Sequence, residues 1–183
     1  MLVKVTEQLE SFEKVPLGGP LLVVLSGPSG VGKDSTLNMM KVLDRPWHFV
    51  ITVTTRPKRY NERDGQDYTF LELSQFEAMR EQGDLLEYAQ VYGHWYGVPK
   101  QQVLDALRRR DDVILKLDVQ GAASVKKIIP TAVFIFLGPP TLQDLKSRLE
   151  ERDTESDSSM DLRIHAAELE MESISIFDYY VVS

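Results

Sequence analysis

The run Gly27-Pro28-Ser29-Gly30-Val31-Gly32-Lys33 offers the clearest chemistry in this chain. Three glycines let successive backbone N–H groups turn toward one anion, and the lysine adds a compact positive charge. The apolar run Leu21-Leu22-Val23-Val24-Leu25 precedes the loop, and Lys33 to Leu43 follows with helical spacing. Strand, glycine loop and helix in that order aim the positive end of a helix dipole at the loop, so the expected ligand is a phosphate group. A ligand-free strand-to-helix turn would also use glycines, but the context on both sides favours the phosphate loop.

The residue after the lysine departs from the phosphate-loop pattern. Asp34 stands where a Ser or Thr would serve as a magnesium ligand, with Ser35 and Thr36 following. A carboxylate beside a polyphosphate is repulsive unless a cation intervenes. Asp34 therefore either binds the metal directly or faces away while water fills the place, and it is read as lying near the metal.

A second cluster, Arg56, Lys58, Arg59 and Arg63, falls within eight positions of a chain whose formal net charge is −7. Local cationic charge in an acidic protein suits a small anion better than a nucleic acid. Taken alone, the cluster also reads as a solvated loop. The three histidines, His48, His94 and His165, fit no catalytic pattern.

At 183 residues, 43% of them hydrophobic, the chain has the size of one compact domain with room for small insertions. The absence of cysteine excludes disulfides, thiolate metal sites and cysteine catalysis. No apolar run approaches the ~18–20 residues of a membrane span, and the first residues lack the basic-then-apolar order of a secretory signal. A soluble, cytoplasmic protein without nucleic-acid or membrane partners is expected. The oligomeric state is open, a homodimer included.

The elements that must position these groups alternate. Strands are expected at 21–25, 49–53, 113–118, 132–137 and 179–182, and helices at 33–43, 74–81, 99–110, 122–128, 141–152 and 160–173. Alternation of this kind gives a parallel sheet covered on both faces. Between Thr54 and Pro99 the texture shifts to arginines, acids, tyrosines and glycines, which marks an inserted subdomain with one helix. Residues 153–159 form a polar connection, and residues 1–19 a leader ending in breakers.

Further motifs make the reading specific. Thr54-Thr55-Arg56-Pro57-Lys58-Arg59, Glu62, Asp64-Gly65-Gln66-Asp67-Tyr68-Thr69-Phe70, Leu86-Glu87-Tyr88-Ala89, Tyr92-Gly93-His94-Trp95-Tyr96-Gly97, Asp118-Val119-Gln120-Gly121 and Arg152-Asp153-Thr154-Glu155-Ser156 come in that order. With the phosphate loop, this set closely resembles the guanylate kinases from about Leu21 to Ser183. The resemblance implies a P-loop nucleoside monophosphate kinase fold of the α/β class. Its parts would be a core of 20–51, 100–142 and 165–183, a GMP-binding insert of 52–99 and a lid of 143–164. It implies transfer of a phosphoryl group from ATP to GMP with magnesium.

Residue by residue, the resemblance places ATP on Gly27, Pro28, Ser29, Gly30, Val31, Gly32, Lys33, Asp34 and Ser35, with Arg148 assisting. It places the GMP phosphate on Arg56, Arg59, Tyr68 and Tyr96, and guanine on Thr52 and Glu87. Two guanidinium forks and two phenols can orient a dianion, and one carboxylate matches the adjacent N1–H and N2–H donors of guanine. Asp118 takes the place of an acid that positions magnesium-bound water beside GMP, and it also suits a helix N-cap. Asp34, Ser35 and Asp118 form the expected metal set. Lys33, Arg56, Arg152 and Arg163 would surround the transferring group, the last two from the lid.

Besides Asp34, three features depart from the resembled pattern. Val98 stands where a Ser or Thr hydroxyl is common, and Lys116 where an acid is common. The chain also stops at Ser183, where a further Asn-Asp segment and helix are expected. Two other functions share parts of the pattern. One is a non-catalytic guanylate-kinase-like domain that binds phosphopeptides, which would not need the intact phosphate loop. The other is a same-fold kinase of phosphorylated ribose, which shares Gly-Lys-Asp but not the guanine-binding set.

Overall fold

The structure, a computed structural model, describes residues 18–91, 93–152 and 157–183, with the side chains of 150–163 outside that description. Its main sheet contains β1 (Leu22–Ser26), β2 (Trp47–Phe49), β7 (Asp112–Lys116), β8 (Val133–Gly138) and β9 (Tyr179–Val182). They lie in the order β2-β7-β1-β8-β9, every neighbouring pair parallel. Helices α1 (Lys33–Lys41), α3 (Lys100–Arg108), α4 (Val119–Ile128), α5 (Leu142–Arg152) and α6 (Asp157–Glu172) supply the connections.

Alternate residues of the central strands feed two separate cores, as a sheet covered on both faces requires. On one face Leu22 and Val24 of β1 and Val113 and Leu115 of β7 pack with Val103 and Ala106 of α3 and Val125 of α4. On the other, Leu25 and Ile114 pack with Leu37 of α1, Leu145 and Leu149 of α5 and Ala167 of α6.

A second sheet, in the order β4-β3-β6-β5, is built from β3 (Val53–Thr54), β4 (Thr69–Phe70), β5 (Leu85–Val91) and β6 (His94–Pro99). Helix α2 (Leu73–Gln82) covers it through Phe76, which is fully buried and stacks on Trp95 at 5.8 Å between ring centroids. Val53, Phe76 and Leu85 form its small core.

Several boundaries differ from the sequence expectation. The strand expected over 49–53 divides between the sheets. The Val50 N–H still donates to Ile114 O, at 3.1 Å, whereas Thr52 O accepts from Thr69 N in the second sheet, at 3.0 Å. The antiparallel pair β5 and β6 was hidden because a register shift between Leu85 and Glu87 breaks the apolar–polar alternation. Pro99 ends β6 and serves as the N-cap of α3 instead of its first helical residue. Helices α4 and α6 also begin three residues earlier than expected. For α4 the reason is Asp118, whose carboxylate accepts from the Gly121 N–H at 2.7 Å and caps the helix.

Because the second sheet rests on so small a core, Phe76→Ala should destabilise it by ~3–5 kcal/mol. Urea unfolding followed through Trp95 fluorescence, in a Trp47→Phe background, measures this. A loss under about 1 kcal/mol would show that the sheet is held by other contacts.

Candidate functional site

The phosphate loop is fixed by its packing before any ligand arrives. Gly27 has φ +142, and a Cβ there would lie 2.1 Å from Leu137 O of β8. A Cβ at Gly30, φ +81, would meet Leu149 Cδ2 of α5 at 2.7 Å. Val31 is buried among Leu145 and Leu149, and Arg148 donates to Val31 O at 3.2 Å. Strand and helix thus grip the loop from behind while its inner edge faces an open cleft.

That cleft, about 700 Å³, lies at the carboxyl end of the parallel sheet and takes its opposite wall from the second sheet. Open α/β sheets characteristically bind ligands at this edge. Ser29, Gly30, Gly32, Lys33 and Asp34 line it from the phosphate loop and the first turn of α1. Arg56, Arg59, Tyr68 and Tyr96 line it from the insert, and Thr52, Glu87 and Asp118 line its inner part. Gly27, Pro28, Val31, Ser35 and Arg148 are not among the lining residues. Arg152 and Arg163 have side chains outside the described residues.

Lys33 bends back over its own loop, donating to Gly27 O and, at 2.9 Å, to Pro28 O. Burial lowers its pKa, with the Lys116 charge adding to that effect and Glu170, Asp34 and Asp118 opposing it. On the insert side Arg56 is held from several directions. It donates to Glu62 at 2.6 Å and to the Tyr96 hydroxyl at 3.2 Å, and its guanidinium lies 5.5 Å from the Tyr68 ring centroid. Burial opposes the Arg56 charge, but the bonds to Glu62 and Tyr96 outweigh it. Glu62 also accepts from the Arg59 N–H at 2.8 Å, so one carboxylate sets both arginine positions.

Glu87 is the unusual group. It is 5% exposed, and among the described residues its Oε1 has no hydrogen-bond partner. Burial, with the Asp118 charge adding to it, raises its pKa to about 8. Gly121 makes room for it, since a Cβ there would sit 3.0 Å from Oε1. An orphaned buried acceptor in an open cleft is a group waiting for donors.

Sequence reasoning missed Glu62, Gly121 and Glu170 as parts of this site. Glu170, on α6, lines the cleft, accepts from the Ser29 backbone and has a buried Oε2 with no partner among the described residues. Burial and the Asp118 charge raise its pKa, against Lys33 and the Ser29 bond. The available signal was its place three residues after the buried Ala167, on the inward face of α6. Two of the departures also acquire places. Val98 is buried in the main core, and Lys116 donates to Asp34 at 2.7 Å.

Among the described residues no three His, Cys, Asp or Glu gather into a metal-binding group, and no helix is long and apolar enough to cross a membrane.

A glycine-rich phosphate loop on a parallel sheet, facing a small second sheet that carries its own cationic cluster, defines a P-loop α/β protein of the nucleoside monophosphate kinase class. A model of the guanylate kinase family matches residues 20–183, and the chain belongs to that family. It is 41% identical over 177 residues to guanylate kinase 2, chloroplastic/mitochondrial, of Oryza sativa subsp. japonica, spanning 94% of this chain but 62% of that protein. It is 42% identical over 163 residues to the guanylate kinase of Syntrophomonas wolfei, covering 89% of this chain and 84% of that one. The crystal structure of guanylate kinase from Anaplasma phagocytophilum superposes with a TM-score of 0.73 at 28% identity, covering 90% of this chain and 77% of that one.

Glu87 makes stability depend on pH in a direction opposite to most acids. Its carboxyl titrates near 8 when folded against an ordinary 4.5, so between these values the native chain holds the extra proton. Its contribution is fully present below pH 4.5 and is lost as pH rises through 8. Glu87→Gln removes this dependence, so the melting-temperature difference between variant and parent should shift in the variant's favour from pH 5 to pH 9. A constant difference in thermal melts would show that Glu87 is ionised throughout.

Proposed function

We propose that this chain transfers the terminal phosphoryl group of ATP to the phosphate of GMP, giving ADP and GDP. The observation that carries this reading is the buried carboxyl of Glu87, its Oε1 without a partner among the described residues, in the same cleft as the phosphate loop and the Arg56 cluster; two donors arriving there would favour its ionised form. Guanine offers N1–H and N2–H side by side to one carboxylate, whereas adenine offers a lone pair at N1 and no 2-amino group. A phosphorylated ribose can offer that carboxylate its hydroxyls, so the choice of acceptor in a kinase assay is what separates it from GMP.

In this reading the phosphate loop and Lys33 hold the donor triphosphate, with the N-terminus of α1 adding its dipole. Lys33 leaves the Gly27 and Pro28 carbonyls for the donor phosphate. Arg56, Arg59, Tyr68 and Tyr96 hold the acceptor phosphate and turn an oxygen toward the donor in line. Arg56 needs little rearrangement, because Glu62 already fixes it. The acceptor phosphate is ionised at neutral pH and needs no general base, so catalysis rests on positioning and on neutralising equatorial oxygen charge. Thr52 and Asp118 line the base end beside Glu87. Arg152 and Arg163 supply further charge from the lid, and Arg148 acts from behind by holding the loop. The insert 52–99 and the lid 143–164 close on the paired substrates and exclude water.

Magnesium accompanies ATP in this proposal, and the residues present fit it. Mg²⁺ usually takes one or two carboxylates together with phosphates and water, not a full protein cage. Asp118 and the unsatisfied Oε2 of Glu170 offer such oxygens beside the loop. Asp34 is already charge-balanced by Lys116, and Ser35 is exposed. The metal, when bound, would neutralise charge on the β- and γ-phosphate oxygens. A cytoplasmic location belongs to the same proposal, supported by the likeness to the Syntrophomonas wolfei protein.

A coupled assay with ATP and magnesium, offering GMP, AMP, CMP, UMP and ribose phosphates in turn, tests the reaction. GMP should be the preferred acceptor, and turnover of a ribose phosphate alone would overturn the reading. Glu87→Gln places an amide donor against a guanine donor and should lower kcat/KM for GMP by ~2–4 kcal/mol in activation terms while narrowing the preference over AMP. Unchanged GMP-to-AMP ratios would remove Glu87 from the base site. Lys33→Ala should abolish transfer while melting within a few degrees of the parent.

A further inference from the structure

Two departures from the family pattern, Asp34 and Lys116, lie 82 positions apart in sequence and meet in the cleft. The Lys116 ammonium donates to Asp34 Oδ1 at 2.7 Å. The same nitrogen lies 4.2 Å from the centroid of the Tyr68 ring. The Lys116 side chain is only 15% exposed, and the residue lines the cleft at the carboxyl end of β7. Asp34 belongs to the first turn of α1, directly after Lys33. Tyr68 belongs to the insert cluster, its ring 5.9 Å from that of Tyr96 and close to Arg56. Lys116 therefore touches both walls of the cleft, one on the donor side and one on the acceptor side.

The pairing gives each departure a physical reason. A carboxylate at position 34 would repel a polyphosphate on the loop, and the Lys116 charge offsets it at contact distance. An ammonium inserted alone between two phosphate sites would bind anions indiscriminately, and Asp34 holds it at one point. Compared with a hydroxyl at 34 and an acid at 116, this pair makes the middle of the cleft one unit more positive.

We propose that Lys116 is a further phosphate-binding residue, contacting the acceptor phosphate from the base of the cleft, with Asp34 as the residue that positions it. This rests on the assignment of GMP to the insert side. A lysine is suited to the task because its charge rotates freely on a flexible stem and can serve a phosphate oxygen without leaving Asp34. Arg56, Arg59, Tyr68 and Tyr96 approach from the insert, whereas Lys116 approaches from the main sheet. It would thus pull the acceptor phosphate toward the phosphate loop.

Calorimetric titration of GMP and of guanosine, which lacks the phosphate, into the parent chain and into Lys116→Met tests this. Lys116→Met should weaken GMP by about 10–100-fold, the range for one charge-assisted contact, and leave guanosine unchanged. Lys116→Arg should restore much of the GMP affinity. Asp34→Asn should alter GMP affinity in the parent by a few-fold and have no effect in the Lys116→Met background. Equal weakening of GMP and guanosine, or no weakening of GMP, would overturn the inference. So would Asp34→Asn having the same effect in both backgrounds. A parent chain that binds neither compound would overturn the guanylate kinase reading itself, and with it the role of Lys116. Should Lys116→Met fail to fold, Lys116→Gln answers the same question.

Discussion

Positive charge concentrated in a partly dehydrated cleft must be balanced before a ligand arrives, and this constraint organises the site. Each buried cation has its own arrangement. Arg56 is held by Glu62, Lys116 by Asp34, and Lys33 by two loop carbonyls with Glu170 nearby. These partners differ in what they cost a ligand. The Glu62 bond leaves Arg56 fixed and still able to face the cleft, so it preorganises. The carbonyls around Lys33 must be given up when a phosphate takes the ammonium. Under the proposed function the site would combine a rigid acceptor side with a donor side that rearranges.

Rigidity behind the loop makes this workable. With β8 within contact distance of Gly27 and α5 within contact distance of Gly30, the loop cannot relax outward when charge enters it. Dense packing transmits small movements instead of absorbing them. Helix α5 carries Leu145, Leu149 and Arg148 against the loop, so a shift of this helix is felt there directly. Glu170 does the same from α6, through its bond with the Ser29 backbone. Both helices are thus tied to the loop that would hold the triphosphate.

Much of this was legible in the sequence where local pattern and function coincide. The strand–loop–helix around Gly27 to Lys33 announces itself by composition, and the apolar runs at 21–25, 113–118 and 132–137 alternate with helices as a parallel sheet demands. The arginine and tyrosine set could be gathered into one site only through the resemblance of the ordered motifs, since spacing alone does not bring Arg56 to Tyr96. What stayed hidden depends on tertiary contact. Glu170 reads as one acid among many on a helix, and only packing turns its face inward. Asp34 and Lys116 each read as an anomaly until the fold set them against each other. The strand pair over 85–99 escaped because its first residues serve two cores at once.

That last point bears on how the base would be read. In a regular strand Leu85, Leu86 and Glu87 would alternate faces, so two would share one side and the third the other. The register shift between Leu85 and Glu87 breaks this rule, and all three are buried. Leu85 enters the small core with Phe76, Leu86 joins the main core, and Glu87 is delivered into the cleft. The bulge thus seats the second sheet on the first and aims the carboxylate in the same stroke. Gly121 completes the fit from the main-sheet side, where any side chain would press on that carboxylate. Keeping an unpartnered acid buried is unfavourable, and it persists because Leu85 and Leu86 anchor the strand on either side of the joint. The energy that holds Glu87 in the cleft therefore comes from packing between the two sheets, which would make the proposed recognition of the base inseparable from the fold.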